Sequence, residues 1–523
     1  MIKFAAAADQ SDIEASRLAT RLKWAAMNVA LLGSLITGGA AYAGKADDTL
    51  NVGFRLQLQS LDPFYSPGRE GLLLAFWIYD NILYRDPVTF EFKPLLATAW
   101  QQVDDKTIDL TIRQGVKFHD GTVMTADDAV YTLNFVANKA NNVFNNSIFD
   151  WIERAEKMPD GKVRLHAKAP TPTALEFLAK IPIYPQKYYE KVGKEGMGTD
   201  PVGTGPFRGK RGPNNTVVLT RFDDYFADSP KPKPAIKTVV YRPVPEVNTQ
   251  VAELMTGALN WAYYIPEDQA AKLRGVKNLK VVNAESMRIA FISFDAIGRA
   301  NPDTPLKNKK VREAISYAID RNALAKNLIG ASSRSLDSVC YPPQFGCTDD
   351  VRKFTYDVAK AKALMAEAGY PNGFDIEVLA SRSRPVADAI IGYLAAIGIR
   401  GKLQFLQYPA VVEKRRSNQA ALVIDDWGSS SINDTSAMVD SFFRNGPDDY
   451  TKDPAIIAAL DKASKTLDVD VRKAAFKDML QRVANEAYWL PLFTMPINYV
   501  LSADVDIPVS PDEVPEFYRA RWK

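Results

Sequence analysis

Histidine and cysteine are nearly missing from this chain, with two of each in 523 residues. His119 and His166 lie far in sequence from each other and from Cys340 and Cys347. The clustered His, Cys and carboxylate ligands that hold zinc or other transition metals are therefore not expected, and neither a metal nor a cofactor is predicted. A G-x-S-x-G nucleophile elbow is also absent, and no Ser/His/Asp set can be placed, so the chain reads as a non-enzyme. An excess of one charge is missing too: 65 Lys+Arg stand against 62 Asp+Glu, a net of +3. That balance excludes the clustered basic surface of a nucleic-acid or anionic-membrane binder. Long hydrophobic runs are lacking everywhere except near the start.

That exception reads as an export signal. Arg17, Arg21 and Lys23 precede an uncharged stretch over 24–44, whose apolar heart is 29–36 and which holds Ala41-Tyr42-Ala43, a small-x-small cleavage site. A permanent anchor needs about 18 strongly apolar residues, and Asn28, Ser34, Thr37, Gly38 and Gly39 dilute this run. Cleavage after Ala43 and a periplasmic location are expected. The lead before Arg17 is long for a signal, which leaves open an over-extended start. Removing residues 1–43 takes away four basic and three acidic side chains, leaving 61 against 59, a net of +2. The remaining 480 or so residues are too many for one core and predict two or three packed lobes. An exported chain meets an oxidising compartment, so Cys340 and Cys347 are expected to form a local disulfide. Tyr341-Pro342-Pro343 cannot be helical and Gly346 allows a tight reversal between them.

Periodicity predicts a mixed α/β chain without internal repeats. Strands are expected over 49–58, 107–112, 163–167, 217–222, 238–243, 258–264, 375–379, 401–406 and 421–425. Helices are expected over 70–83, 247–256, 309–328, 357–368, 387–396, 453–467 and 470–485. Thr125 followed by Ala126-Asp127-Asp128 has the form of a helix N-terminus with acids in its first turn.

Several motifs occur in order: RQGVKFHDGTVMTADDAVYTL at 113–133, VGTGPF at 202–207, KVREAISYAIDRNAL at 310–324, YDVAKAKALMAEAGYPNGF at 356–374 and YWLPLFTMPINYVLSADV at 488–505. Together they resemble the bacterial extracellular solute-binding proteins of family 5, the peptide-, oligopeptide- and nickel-type binding components of ABC importers. The likeness spans nearly the whole mature chain. It implies a two-lobed α/β fold of the periplasmic-binding-protein kind (type II, large peptide-binding class), with an extra subdomain in lobe 1. Lobe 1 is expected over 44–85 and 200–290 with an inserted subdomain at 86–199, lobe 2 over 291–499, and a C-terminal return to lobe 1 over 500–523. The Gly-rich 202–207 segment is expected to join the lobes. The implied role is capture of a small peptide or peptide-like solute by inter-lobe closure, followed by delivery to an inner-membrane ABC permease with its ATPase subunits. The protein is expected to act as a monomer.

By the same resemblance, Gln57, Leu58 and Gln59 stand on a first-strand edge that pairs with a peptide backbone. Trp427 matches a family tryptophan in lobe 2, followed by Gly428, Ser429 and Ser430. Tyr263 and Tyr264 lie near the crossing region, and core packing is the alternative for each aromatic. Arg288, Arg382 and Arg384 are candidates for a carboxylate or phosphate, since guanidinium forks bind both bidentately. His119 and His166 are expected to be packed rather than functional. The chain departs from the peptide pattern where the ligand amine is read: Ser430 stands where the family carries an Asp three residues after the Trp, and Gln57 where some members carry an acid. Asp425, Asp426 or Asp434 is a possible substitute, with strand alternation turning only one of the first two toward the cleft. The departure points to a modified peptide, an opine-like conjugate or a sugar-type solute. Nickel or haem delivery, a ligand sensor without transport, and a peptidase are weaker alternatives.

Overall fold

The computed structural model describes residues 44–66, 68–144, 148–330 and 332–523. The expected export signal over 1–43 lies outside the described residues. Two large sheets organise the chain. The first has seven strands, in the order Leu279–Ala284, Ile497–Ser502, Trp261–Tyr263, Thr49–Phe54, Thr238–Pro243, Val217–Arg221 and Phe207–Arg211. The second has five: Arg400–Phe405, Asp375–Ala380, Leu422–Trp427, Ile289–Phe294 and Trp489–Thr494. Each is mixed; Thr49–Phe54 runs parallel to both neighbours, while Ile289–Phe294 is antiparallel to both of its own. The chain is two-lobed, one lobe built on each sheet.

Side-chain alternation explains why both sheets are buried on two faces. In lobe 2, Ala290, Ile292 and Phe294 enter one core with Val378, Ile390 and Leu490, while Ile289 and Phe291 enter another with Phe442, Phe476 and Trp489. The core of lobe 1 is aromatic. Phe54 stacks on Tyr241 at 4.4 Å and meets Trp77, Trp261, Tyr263 and Phe517. A separate antiparallel sheet, Ala97–Asp104, Thr107–Ile112, Val163–Ala167 and Ile152–Lys157, carries the helix Ala126–Ala137 across it. That helix begins as its sequence requires, with the Asp128 carboxylate accepting from the Thr125 N–H at 2.8 Å. Cys340 and Cys347 are joined, with Cα atoms 5.7 Å apart.

The chain passes between the two large sheets twice: between Ala284 and Ile289, and again between Thr494 and Ile497. The two short connections are stitched together. The Ser286 hydroxyl donates to the Met495 carbonyl at 2.7 Å and the Met495 N–H to the Arg288 carbonyl at 2.9 Å. The Gly-rich 202–207 segment does not join the lobes, contrary to expectation; it lies inside lobe 1, leading into Phe207–Arg211. Its glycines serve close approach. A Cβ on Gly203 would meet the Ile78 carbonyl oxygen at 2.3 Å, and one on Gly205 the Ile78 carbonyl carbon at 2.5 Å. Among the described residues no helix is long and apolar enough to cross a membrane.

Candidate functional site

The two motifs that carry most of the sequence signal meet each other rather than a ligand. His119 is buried and donates from Nε2 to the Gly205 carbonyl at 2.9 Å, while its Nδ1 accepts from the Gly203 N–H at 3.3 Å. Both ring nitrogens are thereby used by a neutral imidazole, and burial pushes its pKa down to about 4. His166, half-buried, contacts Glu156 at 2.8 Å on the four-stranded sheet. Among the described residues no group of three His, Cys, Asp or Glu side chains is arranged to hold a metal.

Polar chemistry concentrates instead where the lobes meet. Arg288, at the start of the first crossing strand, donates to the Asp426 carboxylate of lobe 2 at 2.6 Å and lies 3.6 Å from Glu513 of the C-terminal segment in lobe 1. Glu513 also faces Arg69 at 3.7 Å and accepts from the Tyr264 hydroxyl. Burial opposes its ionisation, but Arg288 and Arg69, with that hydrogen bond, hold its carboxyl below the usual range. Tyr264 sits in the left-handed region at φ +58 directly after its strand, and burial with the neighbouring Glu513 pushes its hydroxyl up to about 12. Asp426 reaches Arg382 as well, at 3.7 Å. A shallow, solvent-open recess adjoins Arg382, Asp425, Asp426, Phe493 and Met495.

A second set of contacts closes the lobes further from the crossing. Ser429, Ser430 and Ser431 occupy three consecutive left-handed positions, at φ +52, +49 and +58. The resulting turn presents Ser431 to lobe 1. Its hydroxyl donates to the Asp512 carbonyl at 2.5 Å and lies 3.2 Å from Arg69, and its carbonyl accepts from Lys180 at 3.1 Å. Burial, with Arg85 nearby, pushes the Lys180 ammonium down to about 7. Gly428 passes close to the charged cluster, since a Cβ there would lie 3.2 Å from Arg288 and 3.5 Å from Glu513. Phe90, at a turn of lobe 1, packs on the lobe 2 core that holds Phe291 and Trp489.

Of the residues singled out from sequence, Arg288, Tyr264, Gly428 and Ser429 gather at this interface. Trp427 is half-buried beside them; its ring meets Phe442 edge-on at 5.7 Å and its indole N–H is buried without a hydrogen-bond partner. Ser430 is exposed. Tyr263 lies in the aromatic core of lobe 1, between Phe54, Trp261 and Tyr499. Gln57 and Gln59 are exposed and Leu58 is buried, but the expected strand ends at Phe54. Arg211 takes the carbonyls of Leu58 and Gln59 at 3.0 and 2.6 Å. Arg384 is exposed and pairs with Asp388. Of the candidate substitute acids, Asp426 faces Arg288, whereas Asp425 pairs with Arg415 at 3.0 Å and Asp434 with Arg472 at 2.8 Å.

Arg55, Arg69, Lys180, Ser431, Asp512 and Glu513 escaped the sequence reading. All are brought together over long separations; Arg69 and Asp512 are 443 residues apart.

Comparison with known proteins agrees with this architecture. The family model described as bacterial extracellular solute-binding proteins, family 5 Middle, matches residues 91–450. The glutathione-binding protein GsiB of Salmonella typhi is 29% identical over 490 residues, covering 90% of this chain and 92% of that protein. GsiB of Escherichia coli O157:H7 is 27% identical over 483 residues, covering 88% and 91%. Among solved structures, the dipeptide binding protein of Pseudoalteromonas sp. SM9913 in complex with Met-Leu superposes with a TM-score of 0.76 at 22% identity, covering 91% of this chain and all of that one. The substrate-binding protein CtaP of Listeria monocytogenes superposes with a TM-score of 0.80 at 21% identity, covering 91% and 99%. At these identities the structural matches establish the fold.

Proposed function

The chain belongs to the bacterial extracellular solute-binding proteins of family 5, and on that premise we propose that it captures a short, carboxylate-rich peptide or peptide-like solute between its lobes in the periplasm. It binds for transport and is not an enzyme. The closed form is what an inner-membrane ABC permease with its ATPase subunits would engage, residues 1–43 act as a cleaved export signal, and the protein works as a monomer.

One observation carries this reading. Arg69 and Glu513 of lobe 1, Arg288 at the crossing and Asp426 and Arg382 of lobe 2 form one continuous charged chain. A solute bridging both lobes would contact it only when they close, and so would favour closure. Arginine forks suit carboxylates; the relatives named for glutathione bind a tripeptide with two carboxylates and one amine, and that charge pattern fits this cluster. Arg288, Tyr264, Trp427, Gly428, Ser429 and Ser430 are the proposed contacts around it. Gln57 and Gln59, exposed on lobe 1, and Leu58 and Tyr263, buried in its core, are further proposed members of the site.

A second reading, a conjugate without a free α-amine (opine-like or sugar-type), is favoured by Ser430 and by the pairing of all three nearby acids with arginine. Calorimetric titration of the mature protein with glutathione, N-acetylglutathione and neutral dipeptides separates the two. The peptide reading expects glutathione to bind well ahead of the dipeptides and acetylation to weaken it. Equal binding of the acetylated form supports the second reading, and binding of neither form rejects the first.

A further inference from the structure

The disulfide loop reaches the serine turn through the residues that follow it. Cys340 and Cys347 enclose Tyr341-Pro342-Pro343-Gln344-Phe345-Gly346. Within the loop the Gln344 N–H closes a turn onto the Tyr341 carbonyl at 2.9 Å, and the two prolines fix φ between them. The buried Gln344 side-chain amide accepts from the Tyr341 N–H at 3.0 Å and donates to the Ile432 carbonyl at 2.8 Å. The Phe345 N–H donates to the Asn433 carbonyl at 3.3 Å. The Phe345 carbonyl accepts from the Thr435 N–H at 3.0 Å and from the Thr435 hydroxyl at 2.8 Å. The other side of the loop rests on the helix Val469–Asn485. Arg472, which pairs with Asp434, lies over the Phe345 ring at 4.6 Å, and a Cβ on Gly346 would lie 2.4 Å from Phe476.

Ser429, Ser430 and Ser431 stand at three left-handed positions, and such strain persists only where the surroundings over-determine it. Ser431 has partners in lobe 1, namely Asp512, Arg69 and Lys180, but these are lost whenever the lobes part. Inside lobe 2 the turn closes on itself, with Ser431 N–H donating to Gly428 at 3.0 Å and Ile432 N–H to Ser429 at 2.9 Å. The next support along the chain is the set of bonds that Gln344 and Phe345 make to Ile432, Asn433 and Thr435. A loop cross-linked at both ends holds those donors and acceptors in one arrangement, whereas an open loop of the same sequence would have to be ordered first.

We infer that the Cys340–Cys347 loop is a splint that keeps the serine turn in its interface-forming shape while the lobes are apart, with Gln344 as the positioning residue. Its effect on capture rests on the peptide reading above, but the splint itself is read without any solute, by amide hydrogen exchange of the mature protein. Replacing both cysteines (Cys340→Ala with Cys347→Ala) speeds exchange at the Ser431 and Ile432 amides by at least about fivefold, the worth of one neutral hydrogen bond. The amides of the core strand Ile289–Phe294 change less; a disulfide that merely stabilised the fold would speed that strand as much or more. Gln344→Met keeps the disulfide and the side-chain length, so it decides the question even if the cysteine variant fails to fold, which circular dichroism checks. It too speeds the turn by about fivefold. Combining all three substitutions speeds the turn little beyond the cysteine pair, because both act along one path. Wild-type exchange at the turn in Gln344→Met, equal acceleration of turn and strand, or full additivity would overturn the splint. In calorimetric titrations the same variants weaken glutathione by about the factor seen in exchange, since a turn formed for a smaller fraction of the time captures proportionally less. Faster exchange with unchanged affinity would refute the splint's part in capture. If the wild-type protein does not bind glutathione, the peptide reading fails while the exchange rates still decide the splint.

Discussion

Replacing Arg288 with Met tests whether the charged chain at the lobe interface behaves as a coupled unit. Arg288 is 17% exposed, and its partners Asp426 and Glu513 are 5% and 3% exposed. Removing one member of a buried ion pair costs about 3–5 kcal/mol, because a buried charge loses its compensation. Here each acid keeps a second arginine, Arg382 for Asp426 and Arg69 for Glu513, both at 3.7 Å. The lower end, about 3 kcal/mol, is therefore expected for Arg288→Met. Asp426→Asn should cost about 2 kcal/mol, since Arg288 retains Glu513 and the Tyr264 hydroxyl at 3.4 Å. In the double variant the lost interaction is counted once, so its cost should fall about 1.5 kcal/mol short of the sum of the singles. Urea unfolding followed by tryptophan fluorescence and by far-ultraviolet circular dichroism measures all three; the two probes must coincide for the free energies to be comparable. Additivity within about 0.5 kcal/mol would refute the claim that these residues act together.

Two further outcomes follow from positions away from the interface. Gly205→Ala forces a Cβ to within 2.5 Å of the Ile78 backbone and should cost at least about 1–3 kcal/mol, whereas Gly392→Ala, in the helix Arg384–Ala395 with nothing within 4 Å, should stabilise slightly; thermal melts of both variants check this, and equal effects would refute the close-approach argument. Asp62 is buried and its carboxyl is raised to about 7 by burial, against an ordinary 3.8. The folded state therefore holds that proton more tightly than the unfolded one, so its contribution is full below about pH 4 and is lost as pH rises to about 7, by at most about 1.4 kcal/mol per unit. Asp62→Asn should flatten that part of the stability–pH curve, and an unchanged slope in denaturant titrations would exclude the assignment.

Much of the fold was legible because local pattern and tertiary role agree in it. The strands at Thr107–Ile112, Val163–Ala167 and Thr238–Pro243 and the helix Val247–Thr256 appear where alternation and periodicity place them. Elements fail where a side chain redirects the backbone. The helix expected over 309–328 breaks after Ala318, because the Asp320 carboxylate caps a new turn by accepting from the Ala323 N–H at 2.9 Å. The strand expected over 49–58 stops at Phe54, where the Tyr241 hydroxyl captures the Leu56 carbonyl. At the site, Arg288 was visible by residue type and the turn after Trp427 by that tryptophan's match to the family it resembles. Glu513, Arg69 and Arg55 were not, since nothing local marks a side chain whose partners lie hundreds of residues away.

The serine turn sets backbone strain in lobe 2 against hydrogen bonds that cross to lobe 1. Three consecutive non-glycine residues in the left-handed region cost roughly 1–2 kcal/mol each. Against this, Ser431 makes one neutral hydrogen bond to Asp512 and two with the charged Arg69 and Lys180, worth about 1 and about 1.5–3 kcal/mol each. The two sides are of similar size, so the turn adds little net preference for either state. The two crossing connections are tied to each other through Ser286 and Met495. In the structure, strain in the lobe 2 turn is set against hydrogen bonds offered by lobe 1.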